Sequence, residues 1–171
     1  MKTMKTNFLK YALMAFLFTG LVSCGGDDDL NTGGGNPTDG TLQGTVLSGT
    51  ITSDLLVKKG NYTLKGAVFV ESGATLTIEK GTTFTVTKAD QAAGINLLMV
   101  KQGGKLIAEG TAAEPILFTT ENKNAAGGDG DWGGITIHGR ARMNAPGGTS
   151  LSEAGQLTYG GTDDADSSGS L

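Results

Sequence analysis

The sequence predicts an all-β domain over residues 41–171, wound as a single-stranded parallel β-helix, and three observations lead there. Glycine makes up 29 of the 171 residues, well above the usual share of about 7%, with no Gly-X-Y period, so it reads as turn punctuation. Between the glycines, Thr, Val, Ile and Leu dominate and only three prolines occur, a composition that favours strands. The third observation is self-similarity. Val70-Glu71-Ser72-Gly73-Ala74-Thr75-Leu76 returns thirty residues later as Val100-Lys101-Gln102-Gly103-Gly104-Lys105-Leu106, and repeats at tens of residues mark solenoids.

The elements follow in order. Residues 1–23 form a lipoprotein signal peptide: Lys2, Lys5 and Lys10 precede an apolar run from Tyr11 to Val22, the proportions of a secretory h-region. A membrane-spanning helix needs about 20 apolar residues, so this run is too short to serve as one. Leu21-Val22-Ser23-Cys24 resembles the lipobox of bacterial lipoproteins, and the resemblance implies acylation of Cys24 and cleavage just before it. The single cysteine of the chain cannot form an internal disulfide, and lipidation accounts for it. The implied partner is a membrane held through that lipid anchor. Because each buried methylene contributes about 0.8 kcal/mol, several acyl chains hold firmly where one is marginal.

Residues 24–40 are the lipidated cysteine and a flexible linker of Gly, Asp, Asn, Thr and Pro in which only Leu30 is a large apolar residue. Such a segment buries too little apolar surface to offset the entropy of ordering, and sixteen such residues span roughly 20–24 Å. Gly25-Gly26-Asp27-Asp28-Asp29 is similar to the acidic export signal of Bacteroidota lipoproteins, which implies an address in the outer membrane, on the cell surface. Removal of the signal leaves 10 basic against 17 acidic residues, a net charge of −7. That balance argues against nucleic acid as a partner.

In residues 41–171, Thr75-Leu76-Thr77-Ile78 and Thr83-Phe84-Thr85-Val86 alternate polar and apolar, as half-buried strands do. A second echo pairs Val57-Lys58-Lys59-Gly60-Asn61 with Ile78-Glu79-Lys80-Gly81-Thr82, one circuit apart, so the thirty-residue shift reads as a circuit with an inserted loop. Leu76 is expected to stack on Leu106 and Ile78 near Ala108, because parallel strands one turn apart align like side chains. Phe69, Phe84, Phe118 and Trp132 are expected to fill the interior, threonines to cover the outer wall, and about five circuits to fit the domain. An antiparallel β-sandwich is the alternative. Tight hairpins would place Asn-Gly or Asp-Gly between alternating runs, whereas Asp39-Gly40 and Asp129-Gly130 fall in the linker and in a glycine-rich loop.

Gly66-Ala67-Val68-Phe69-Val70, Gly73 through Thr82, Leu106 through Thr111 with Glu114-Pro115-Ile116, and Asp131-Trp132-Gly133-Gly134-Ile135 together resemble a group of Bacteroidota surface lipoproteins. The resemblance covers most of residues 41–171 and implies a right-handed β-helix at the cell surface. It implies no settled activity. In those relatives a segment like Tyr159 through Leu171 is followed by further circuits, so the domain is expected to be incomplete at its C-terminus, leaving an unpaired last edge.

Candidate chemistry is sparse. Gly127-Gly128-Asp129-Gly130-Asp131 differs from a calcium-binding Gly-Gly-x-Gly-x-Asp unit by one position and occurs once. Asp163, Asp164 and Asp166 offer oxygens of the kind calcium takes, but six to eight must converge. These five aspartates are the calcium candidates, and no resident cofactor is expected. His138, the only histidine, should point outward with Thr136 while Ile135 and Ile137 point inward. No nucleophile elbow or Gly-Lys-Ser phosphate loop occurs, and no catalytic residue is assigned. Trp132, Arg140 and Arg142 are the candidate ligand-binding residues, with the two arginines expected near Asp129 and Asp131. The leading functional expectation is a non-enzymatic scaffold that binds or adheres to glycan or protein ligands. A polysaccharide lyase or hydrolase, and an accessory partner of an outer-membrane transport receptor, are the alternatives.

Overall fold

The computed structural model describes residues 40–86, 95–121, 130–153 and 156–166. The signal, Cys24 and nearly all of the linker lie outside the described residues. Within them the chain is all-β: eleven strands and one 3-10 turn at Pro146–Gly148 are present, and no α-helix.

Parallel pairing dominates. One three-stranded sheet stacks β2 (Leu55–Val57), β4 (Thr75–Ile78) and β7 (Lys105–Ile107). A six-stranded sheet joins β1 (Val46–Ile51), β3 (Asn61–Val70), β5 (Thr83–Val86), β6 (Leu97–Val100), β8 (Leu117–Thr120) and β9 (Ile135–Ile137). This second sheet is curled. β3 pairs through its first half with β5 and through its second half with β6, and it changes direction at Gly66, whose φ of 68° is readily adopted only without a Cβ. The chain therefore visits three walls in a fixed order: β1 with β2, then β3 with β4, then β5, β6 and β7, with β8 and β9 opening the next circuit.

Register confirms the expected stacking. Val57 aligns with Ile78, and Leu55 with Leu76; Leu76 aligns with Leu106, and Ala108 follows in register with Ile78 and packs on the core. Val70, Val100 and Ile137 form another column. Leu47, Leu64, Val68, Leu76, Leu98, Val100 and Leu106 are all fully buried, and each such side chain contributes about 1.5–3 kcal/mol. The antiparallel sandwich is excluded by these ladders, since both main sheets are parallel throughout.

The thirty-residue repeat has a local cause. Glu71-Ser72-Gly73-Ala74 and Lys101-Gln102-Gly103-Gly104 are stacked turns, closed by Ala74 N to Glu71 O at 3.1 Å and Gly104 N to Lys101 O at 2.9 Å. Gly73 and Gly103, at φ 83° and 82°, take the third position that requires positive φ in a type II turn. Gly73 N donates to Gly103 O across 2.8 Å. The inserted length lies elsewhere, between β5 and β6, and a longer insertion lies between β8 and β9; earlier circuits cross this same corner with little more than Gly49 and Gly66.

At another corner Glu114 accepts from Lys59 Nζ at 2.7 Å and pairs with Lys80 Nζ at 2.9 Å, joining three successive circuits. The hydrogen bonds from Lys59 and Lys80, then their charges, hold its carboxyl down to about 2 from an ordinary 4.5. A depressed carboxylate contributes stability that is full above its unfolded value and is lost as pH falls toward its folded one. Glu114→Gln should therefore lower the urea midpoint at neutral pH, and the gap to the unsubstituted protein should close between about pH 4.5 and about 2.

Three expectations need correction. Phe69 lies outside, half-buried, with Lys101 Nζ 4.9 Å above its ring, because Val68 and Val70 take the inward positions of the alternation. β10 (Thr149–Leu151) and β11 (Thr158–Gly160) form an antiparallel hairpin, so the parallel pattern does not extend through this stretch. His138 is buried at 2% exposure. Ile137 is half-buried in register with Val100, whereas Ile135, in register with Leu98, is 38% exposed rather than inward; alternation describes only a strand's own sheet, and here Tyr159 of β11 stacks over the imidazole.

Candidate functional site

The outer wall formed by β3 and β5 carries an open groove of about 330 Å³, lined by Thr45, Asn61, Tyr62, Thr63, Thr85 and Glu121. Strand alternation puts Asn61, Thr63 and Thr85 outward, and parallel pairing sets Thr63 directly beside Thr85. Thr45 O accepts from Thr63 N at 2.8 Å, and Glu121 N donates to Val86 O at 3.2 Å. Tyr62 is fixed from two sides. Its hydroxyl donates to Lys58 O at 2.9 Å, and its ring lies 5.7 Å from that of Phe84. The groove is thus lined by residues that carry hydroxyls, one amide and one carboxylate on a parallel wall. Such a set can exchange hydrogen bonds with a neutral polyol.

The sequence candidates are distributed differently. Trp132 lies flat on Phe118, with ring centroids 5.5 Å apart and an interplanar angle of 1°. It ends a ladder that runs Tyr62, Phe84, Phe118, Trp132, so one of its faces is committed to packing. Arg140 and Arg142 reach carboxylates further along the chain. Arg140 Nε lies 3.9 Å from Asp166 Oδ1, and Arg142 Nε lies 3.7 Å from Asp164 Oδ2. The same carboxylates accept from the backbone amides of Arg140 and Arg142, and Asp163 Oδ1 accepts from Ala165 N at 3.2 Å. These three aspartates therefore tie a turn to the strand-following segment at 140–142.

Asp129 lies outside the described residues. Asp131 is buried, its Oδ2 accepting from Thr120 Oγ1 at 2.5 Å. Its carbonyl accepts from Asn96 Nδ2 at 3.2 Å, while Asn96 Oδ1 accepts from Gly66 N at 2.7 Å. Asn96 is fully buried, a bridge between circuits that sequence reading did not single out. Among the described residues no group of three His, Cys, Asp or Glu side chains converges as a metal site. The wall groove was also missed as a site. Its signal was present in the outward threonines, but only the register shows which of them become neighbours.

The fold defines the class: an all-β protein built on a coiled parallel sheet. The chain belongs to the family described as the pectate-lyase-like β-helix domain, whose model matches residues 49–171. No match is found among curated proteins or among solved structures.

Proposed function

We propose that this chain is a lipid-anchored lipoprotein of the outer membrane, exposed at the cell surface, whose right-handed β-helix binds glycan along the wall of β3 and β5. The groove at Asn61, Thr63 and Thr85 is the observation that carries the binding reading. Its chemistry suits sugar hydroxyls, which need both donors and acceptors, and threonine and asparagine side chains supply both. Cleavage of a glycosidic bond by hydrolysis uses two flanking carboxylates, and one carboxylate, Glu121, lines the groove. The address rests on the lipobox-like Leu21-Val22-Ser23-Cys24 and the acidic run after it.

The test pairs Thr63→Val with Thr85→Val. Valine keeps the shape and the strand preference of threonine but removes the hydroxyl, and each net hydrogen bond contributes about 0.5–1.5 kcal/mol. The double variant should bind its best glycan on an array roughly tenfold more weakly, two such bonds being lost. Unchanged binding would reject the groove. On the same full chain, Cys24→Ala should move the protein from the membrane fraction to the soluble one; persistent membrane association rejects the anchor. The family's likeness to pectate lyases favours a second reading, polysaccharide cleavage. Release of unsaturated sugars from an acidic polysaccharide, abolished by Arg140→Ala, would establish it in place of the first.

A further inference from the structure

We propose that the β10–β11 hairpin is an acid-released cover over His138, closed while the imidazole is neutral and opened when it takes a proton. The geometry is unusual for a histidine. His138 is 2% exposed, and neither ring nitrogen has a hydrogen-bond partner. Its backbone amide is fixed to Val100 O at 2.9 Å, so the ring cannot slide along the strand to find one. The Tyr159 ring of β11 lies over it, with centroids 6.1 Å apart and an interplanar angle of 20°.

A neutral imidazole in this position leaves one donor and one acceptor unmet; an imidazolium leaves two donors and a full charge unmet. The charged groups on the surrounding elements do not relieve it. Lys101, on the turn after β6, is a cation paired with Glu71. Arg140, two residues beyond His138, is a cation paired with Asp166. Asp163 and Asp164 are engaged with Ala165 N and Arg142. The face of Tyr159 offers some attraction to a cation, but it satisfies neither N–H. Burial accordingly pushes the pKa of His138 below its ordinary 6.5.

The cover is held by polar contacts, including Asp163 N to Arg140 O at 3.1 Å just beyond β11, rather than by a core of its own. Gly160 N donates to Gly139 O at 2.8 Å, and Gln102 Nε2 donates to Gly160 O at 2.6 Å. Leu151 is 55% exposed, and Leu157 and Tyr159 are only half-buried. Lifting it frees the imidazole to reach water and exposes the backbone of residues 138–140 as an open edge. Local openings of this kind cost far less than global unfolding.

The sign follows from linkage. The closed state binds fewer protons than the open one, so closure is complete above about pH 6.5 and weakens as pH falls below it. If the closed state excludes the proton altogether, the closing equilibrium should fall roughly 30-fold between about pH 7.5 and about pH 5. The test is clean because His138 is the only histidine in the chain, and no other side chain ordinarily titrates across that window except a perturbed thiol.

The experiment is amide hydrogen exchange on the full chain in detergent, corrected for the intrinsic effect of pH. Protection of Tyr159 and Gly160 should fall by more than tenfold on acidification while Leu64 and Leu76 stay protected. His138→Leu and His138→Phe should each remove the pH dependence. Equal protection of the hairpin at both pH values, or a pH dependence that survives in both variants, would overturn the proposal. Should both variants fail to fold, the imidazole carbon resonances of the unsubstituted protein decide: an apparent pKa at or above 6.5 overturns the cover, and one well below it supports it.

Discussion

Replacing Phe84 with alanine is expected to destabilise the protein by about 3–5 kcal/mol, the range for truncating a buried aromatic ring. Phe84 is fully buried and stands in the middle of the aromatic ladder, 4.9 Å from Phe118 and 5.7 Å from Tyr62. Its removal opens a cavity between circuits and breaks two ring contacts at once, each adding about 0.5–1.5 kcal/mol beyond area burial. The rigid walls cannot close the gap, because strand separation is fixed near 4.8 Å by the backbone ladder. The measurement is a urea midpoint with unchanged slope. A loss below about 1.5 kcal/mol, the size of a tolerated volume-conserving swap, would show that the ladder is not a packed core.

Asn96→Ala is the second large effect, expected at about 2–4 kcal/mol, because the part-buried Gly66 amide and the buried Asp131 carbonyl both lose this partner and each group left unsatisfied costs about 1–3 kcal/mol. The side chain receives Gly66 N and donates to Asp131 O, linking the bend of β3 to the segment that precedes β9. Exchange at the Gly66 amide should rise sharply in this variant, while amides of β2, β4 and β7 keep their protection. Equal loss of protection across both sheets would indicate global unfolding rather than failure of this bridge.

Much of the fold was legible in the chain. Alternation in Thr75 through Ile78 and in Thr83 through Val86 gave the half-buried strands directly, and the echoes at Val57 with Ile78 and Leu76 with Leu106 gave pairs that stand in register. These signals are local or periodic, and a parallel ladder converts a period into a contact. What escaped depends on neighbours far along the chain. His138 follows β9 at a position that alternation points outward, yet it is buried, with Tyr159 returning to stack over its ring. Phe69 has the bulk of a core residue, but the period of two puts Val68 and Val70 inside instead. Arg140 and Arg142 found carboxylates as their charge required, at Asp166 and Asp164, more than twenty residues downstream. The wall groove needed the register of Thr63 against Thr85, which no single strand reveals.

The extra length between β5 and β6, and again between β8 and β9, is confined to one seam, while the stacked turns at Gly73 and Gly103 keep the next wall in step. New sequence can be grafted at this seam without shifting a single rung of the remaining ladders. An architecture of this kind separates what must stay constant from what is free to diversify, so that one face of the coiled sheet can change its contacts while the others preserve its integrity.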